Sequence, residues 1–300
     1  MLNRRFLIIR KATILFLIVL GCFGSAGTSL AAKYVRDGAL IGARNFYTIT
    51  ADESLFEVAR DFDIGVNAIS AANPAVDPFI PAQETLLVVP TQWIIPDVPI
   101  QRGIVINLAE MRLYYFPRDN AHEVITFPIG IGDQGMDTPL GVFKVVEKTK
   151  DPSWFVPKSI LNEKPYLPPV VPPGPDNPMG SRSLRLSNRS ILIHGTDRPF
   201  GIGTRSSHGC IRLYEEDIQA LFQMVPTGMR VLIVNQPVKV AVIGKKVYLQ
   251  VSDYEDSRDL FKEAFHLLDG RNLLEKVDLH KVRAAALEAS GLLVDVSIDN

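Results

Sequence analysis

The chain has 300 residues, 47% of them hydrophobic and 22% charged, with a formal net charge of −1. This is globular composition with room for two or three domains. The near-zero charge, with no dense basic run beyond the first eleven residues, excludes a broad nucleic-acid footprint.

Arg4, Arg5, Arg10 and Lys11 precede an apolar run from Ala12 to Phe23, and small residues follow, ending in Leu30-Ala31-Ala32. A basic start, a short apolar stretch and a small-residue cleavage site predict a signal peptide over residues 1–32. The run is short for a membrane span. Two other readings stay open. One is an uncleaved N-terminal anchor. The other is a lipoprotein signal, because Val19-Leu20-Gly21-Cys22 resembles a lipobox; Cys22 would then carry the lipid that tethers the chain. All three place the protein outside the cytoplasm, in the periplasm or cell envelope. They also offer its only attachment to a membrane. The two cysteines are Cys22 and Cys210. Processing removes the first or lipidation blocks it, so Cys210 has no partner within the chain. It is either a buried inert residue or a free reactive thiol.

Residues 33–45 are polar and contain glycine, and read as a linker. Phe46 to Thr50 alternates like a strand. Ser54-Leu55-Phe56-Glu57 fits a capping box, and Leu55, Val58, Ala59 and Phe62 recur at helical spacing. Gly65 ends that helix, and Asn67 caps a second one through Ala72, which Asn73-Pro74 ends. Thr85 to Pro90 reads as a strand. The βααβ order over residues 46–90 resembles a lysin motif (LysM), which departs from the family at Ala51-Asp52, where Gly-Asp is usual. That resemblance implies binding of peptidoglycan glycan strands. A small packing domain without a ligand is the alternative.

Thr91 to Arg102 is a proline-containing connector. Gly103 to Leu108 and Met111 to Phe116 predict a hairpin. Glu123 to Ile131 and Gly141 to Lys148 continue the β pattern, with Thr138-Pro139-Leu140-Gly141 as the turn between them. Residues 152–178 are proline-rich and unsuited to a central strand. Trp154, Phe155 and Tyr166 point to an ordered lid rather than a disordered loop. Leu184 to Leu186 and Ile191 to Ile193 return to strands, Glu215 to Met224 predicts a helix, and Met229 to Val234 a closing strand. Beyond Gln236, a strand at Lys246 to Val251, helices at Arg258 to Leu268 and Leu279 to Ser290, and a strand within Leu292 to Ile298 make an appendage. The expected fold is mainly β with some α. A β-rich sandwich or partial barrel over residues 101–235 follows a small βααβ unit and precedes a small α/β appendage over residues 236–300, whose role the sequence leaves open.

Ser206-Ser207-His208-Gly209-Cys210-Ile211-Arg212, with His194-Gly195 sixteen residues before the cysteine, concentrates the chemistry. A thiol reacts as thiolate and needs a base beside it. His194 ends an apolar run and is therefore expected at a strand terminus. A base needs a third group to fix its tautomer, and the Gly195 carbonyl is the simplest candidate. Attack on an amide generates an oxyanion, which the backbone N–H groups of Gly209 and Cys210, with His208 beside them, are suited to receive. Arg212 can fork onto a substrate carboxylate. Arg212 paired with Glu215 or Glu216 is the plainer reading. His194, His208 and Cys210 as zinc ligands would make a poor closed site, so neither a metal nor a cofactor is expected.

His194-Gly195 and Ser207-His208-Gly209-Cys210-Ile211-Arg212 resemble the L,D-transpeptidase (YkuD-type) pattern. The resemblance spans residues 101–235 and includes Ile129-Gly130-Ile131-Gly132 and Asn177-Pro178-Met179-Gly180. It implies Cys210 as the acylated nucleophile, His194 as its base and Gly195 as the orienter. His208, Gly209 and Cys210 would line the oxyanion site, and Ser207 and Arg212 would bind substrate. The implied reaction takes a stem tetrapeptide of peptidoglycan and releases D-Ala. It passes the acyl group to an amine, on another stem or on an envelope lipoprotein. A cysteine peptidase that resolves the thioester with water, and a wall-anchoring protein without catalysis, are the competing functions.

Overall fold

The computed structural model describes residues 32–299 apart from 37, 51, 100, 101 and 254–257. The signal-peptide and lipobox readings, Cys22 included, lie outside the described residues. Residues 33–45 are not a linker. They hold β1 (Ala32–Val35) and β2 (Leu40–Gly42). β1 pairs antiparallel with a central-sheet strand over Glu123 to Thr126, and Tyr34 packs edge-on against Trp93 at 5.5 Å. Segments this short are strands only because a longer neighbour supplies the ladder.

β3 (Asn45–Thr48), α1 (Leu55–Asp61), α2 (Val66–Ala72) and β4 (Leu86–Val89) follow, with β3 and β4 paired antiparallel. The Glu57 carboxylate accepts from the Ser54 N–H at 2.7 Å, closing the start of α1. Asn73 ties the end of α2 to β4: its side chain donates to the Val88 carbonyl and accepts from the Val88 N–H, both at 2.8 Å. β5 (Gln92–Ile94) then pairs with β2.

The central region opens with β6 (Gly103–Asn107), β7 (Arg112–Phe116), β8 (Glu123–Pro128), β9 (Ile131–Gly132) and β10 (Gly141–Lys150). The proline-rich excursion contributes β11 (Trp154–Phe155), α3 (Lys158–Glu163) and β12 (Val170–Val171). The chain returns through β13 (Arg182–Leu186), β14 (Leu192–His194), β15 (Arg205–Ser207), β16 (Ile211–Arg212), α4 (Glu215–Met224) and β17 (Arg230–Val234). Nine strands run in the order β1-β8-β7-β6-β17-β10-β13-β14-β16, and β9 and β15 form a separate parallel pair. The architecture is the partial-barrel alternative and not a sandwich. β10 is the reason: Gly141 to Lys144 pair with β17, the register shifts between Val145 and Glu147, and the remainder pairs with β13. A long bulged strand shared between two halves bends one sheet into a trough.

β6, β7 and β8 are buried on both faces. Ile104, Ile106, Leu113, Tyr115, Ile125 and Phe127 point to a core shared with Ile218 and Leu221 of α4. Val105, Tyr114, Phe116 and Val124 point the other way, onto Ile49, Leu55, Val58, Leu87 and Val89. The N-terminal βααβ unit therefore shares a core with the sheet. Each such side chain contributes about 1.5–3 kcal/mol when fully buried.

The C-terminal segment forms β18 (Val238–Ile243), β19 (Lys246–Ser252), α5 (Leu260–Gly270), α6 (Leu279–Glu288) and β20 (Ser290–Asp295), with the strands in the order β18-β19-β20. The sequence pattern missed β18, which abuts β19 through a tight turn. Lys239 fixes this unit to the rest: its buried Nζ donates to Glu110 Oε2 and to the Ile94 carbonyl, each at 2.6 Å. Among the described residues no helix is long and apolar enough to cross a membrane.

Candidate active site

β14 and β16 run parallel, with Ile193 opposite Ile211 and His194 opposite Arg212. Side chains two apart share a face, so Cys210, just before β16, lies on the same face as Arg212 and His194. The sequence places these residues sixteen positions apart; strand pairing makes them neighbours. Ile193 and Ile211 are fully buried on the opposite face and hold the pair in register.

His194 is buried, 4% exposed, and its Nδ1 lies 2.7 Å from the Gly195 carbonyl. A carbonyl accepts only, so Nδ1 carries the proton and Nε2 is left with its lone pair. Burial, reinforced by the Arg212 charge, pushes the imidazole down to about 4, against the pull of the Gly195 and Pro178 carbonyls. At neutral pH the ring is an uncharged base. A Cβ on Gly195 would press on the Glu215 carboxylate, on Ile218 Cγ2 at 3.0 Å and on the Gly180 backbone at 3.2 Å, so a side chain there must displace its neighbours. The Glu215 carboxylate in turn accepts from the Ser181 N–H at 3.1 Å, pinning the chain beside the histidine.

Cys210 is the free cysteine of the described residues and is half-buried. Its Sγ donates to the Ser190 carbonyl at 3.6 Å and makes no hydrogen bond to either imidazole. Burial pushes the thiol up, while the Leu192 N–H and the Arg212 and Arg185 charges pull it down. The loop ahead of it is held from both ends. Gly209 has φ +93, a region closed to most side chains, and its carbonyl accepts from Thr138 Oγ1 at 3.1 Å. Ser207 Oγ donates to the Cys210 carbonyl at 2.5 Å. Ser207 is 3% exposed, and its hydroxyl holds the cysteine loop.

Comparison with known proteins agrees with this geometry. Residues 101–233 match the L,D-transpeptidase catalytic domain. A probable L,D-transpeptidase of Escherichia coli K12, YbiS, is 43% identical over 240 residues, 76% of this chain and 77% of the relative. The chain belongs to the L,D-transpeptidase family. A second Escherichia coli K12 relative, the probable L,D-transpeptidase ErfK/SrfK, is 36% identical over 289 residues, 90% of this chain and 92% of its own length. The likeness to it therefore runs well beyond the catalytic domain into both flanking units.

Within this family member, His208 reaches the proline-rich excursion. Its ring is half-exposed, with Nε2 4.0 Å from Glu163 Oε2 of α3. It thus faces the proline-rich excursion, which is ordered: β11 pairs with β12, and Asn177 Nδ2 donates to the Pro152 and Pro172 carbonyls at 2.9 and 3.0 Å, closing its base. Arg212 does not pair with the α4 carboxylates. Glu215 takes the Ser181 N–H, and Glu216 takes Arg60. Arg212 Nη1 instead donates to Ser206 Oγ at 3.2 Å, and its Nε is buried without a hydrogen-bond partner. Thr138, Asn177, Ser190 and Leu192 were missed as contributors. All four act through or on backbone atoms, which sequence chemistry does not display; only Asn177, inside the quoted Asn-Pro-Met-Gly run, carried a signal.

Proposed function

We propose that Cys210 is the nucleophile of a peptidoglycan L,D-transpeptidase, with His194 as its base. The carrying observation is the neutral imidazole locked by the Gly195 carbonyl on the strand next to the half-buried thiol. Rotation of the thiol away from the Ser190 carbonyl passes its proton to His194 Nε2. The sulfur then attacks the carbonyl of the diamino acid that precedes D-Ala in a stem tetrapeptide. Backbone N–H groups of the Gly209–Cys210 turn receive the oxyanion. Collapse breaks the amide; the D-Ala nitrogen takes the proton from His194 and leaves, and a thioester remains. An amine attacks that thioester, the imidazole takes its excess proton and returns it to sulfur, and a new amide forms. No nucleotide is consumed, because the old amide supplies the activated acyl group. Arg212 holds a carboxylate of the donor peptide through the guanidinium donors that Ser206 does not occupy.

The βααβ unit is read as a lysin motif that holds glycan strands, and residues 1–32 as the export signal. The substrate is then the wall polymer outside the cytoplasm. The acceptor is a second stem peptide or an envelope lipoprotein. Purified enzyme given tetrapeptide stems is expected to yield cross-linked dimers and free D-Ala. Tripeptide alone would replace this function with hydrolysis, and an inert mixture would leave only a wall-binding role.

A further inference from the structure

Ala32 opens β1, and its backbone N–H donates to Asp63 Oδ2 at 3.3 Å. Asp63, in the turn after α1, is 7% exposed; Asp217, in the first turn of α4, is 1% exposed. The two carboxyls act on each other across the seam between the N-terminal unit and α4, and burial pushes both up. Asp63 Oδ1 and both Asp217 oxygens have no hydrogen-bond partner. Buried carboxylates in this state call for a cation or further donors. The nearby Arg112 is engaged elsewhere: Nη1 donates to Thr126 Oγ1 at 2.9 Å, Nη2 to the Asp63 main-chain carbonyl at 3.1 Å, and the guanidinium lies 4.1 Å from the Trp93 ring centre. Arg60 is taken by Glu216, and the other titratable groups facing the pair are the Tyr34 and Tyr214 hydroxyls.

We infer that the counter-ion is the chain's own processed amino terminus. Hydrolysis of the Ala31–Ala32 bond leaves an α-ammonium on Ala32 that docks onto the Asp63–Asp217 pair and clamps β1, the N-terminal unit and α4 together. The inference rests on the export reading above. Ser29-Leu30-Ala31 puts small residues at the two positions a signal peptidase reads, which sets the cut one residue before the boundary taken from Leu30-Ala31-Ala32. Water supplies the atoms: Ala31 departs as a carboxylate, and the Ala32 nitrogen changes from an amide with one N–H to an ammonium with three. One donor already points at Asp63, and two more become available where three acceptor atoms have none. An anchored chain, or one cut at Cys22, keeps the single neutral donor. The seam thus distinguishes the processed protein from its precursor.

The test begins with the full-length precursor in a host that exports it. N-terminal sequencing of the exported chain is expected to start at Ala32. The native protein is then treated with an amine-acetylating reagent, and acetylation at the Ala32 α-amine is followed by peptide mass. A docked ammonium reacts about tenfold slower than the same amine in the Asp63→Asn/Asp217→Asn variant, the effect of one pKa unit. Placing one glycine before Ala32 is expected to lower the melting temperature of the protein with native acids, which keeps the test open if the double variant does not fold. A mature chain starting elsewhere overturns the proposed cut. A chain starting at Ala32 with equal acetylation rates and an unmoved melting temperature overturns the docking while the export reading stands.

Discussion

The active site and the Asp63–Asp217 seam are both buried clusters in which low dielectric drives a titratable group to its neutral form. His194 is pushed down to about 4, Asp63 up to about 6, and Asp217 well above the carboxylate range. They differ in what stands beside the neutral group. His194 leaves a lone pair on the face it shares with a half-buried thiol, so neutrality there makes a base available. The aspartates face each other, with no reactive group between them, so the pair only holds a proton or a counter-ion inside an interface. Perturbed titration alone therefore does not mark catalysis; an accessible reaction partner does.

The largest expected effect separates the two regions outright. Cys210→Ala abolishes acylation by a stem tetrapeptide, and His194→Gln slows it by about 10²–10⁴-fold near neutrality, with circular dichroism unchanged in both. Asp217→Asn leaves the acylation rate within about twofold, because the pair serves packing, not chemistry. Loss of acylation in Asp217→Asn would erase the distinction.

The pH dependence of stability sharpens it, because the two regions have opposite signs. His194 has a lowered pKa, so its contribution is present above the unfolded value of 6.5 and is lost as pH falls towards about 4, on the order of 3 kcal/mol. Asp63 has a raised pKa, so its contribution is present below 3.8 and is lost as pH rises towards about 6. Denaturant titrations from pH 4 to 7 check this on a chain extended ahead of Ala32, so that no ammonium faces the pair. His194→Gln is expected to remove the rising slope and Asp63→Asn the falling one. The same slope change in both variants would contradict the assignment.

Smaller effects follow. Ser207→Ala removes the bond to the Cys210 carbonyl and costs about 1 kcal/mol, seen as a lower urea midpoint together with slower acylation. Arg60→Ala, at the half-exposed edge of the seam, costs at most about 1 kcal/mol and less at high salt.

The same contrast explains what the sequence made legible. His194, Gly195 and Cys210 lie on two short runs whose local pattern already predicts a strand end and a glycine turn. α4 was readable over Glu215 to Met224 because a helical apolar stripe needs no distant information. The seam was not readable: Asp63, Arg112 and Asp217 come from three distant segments, and nothing local distinguishes a buried aspartate from a solvated one. β1 and β2 were read as linker for the same reason, since four and three residues become strands only when β8 and β5 are present to pair. His208 was read at the oxyanion site from its place in the motif, and its closeness to Glu163 of α3 was not readable, because the excursion is distant in sequence.

The most direct measurement is intact mass spectrometry of the purified protein after incubation with a stem tetrapeptide. The expected result is a shift equal to the tetrapeptide minus D-Ala, mapped to Cys210, absent in Cys210→Ala and strongly slowed in His194→Gln. An unshifted mass alongside normal product formation, or an adduct mapped to another residue, would contradict it.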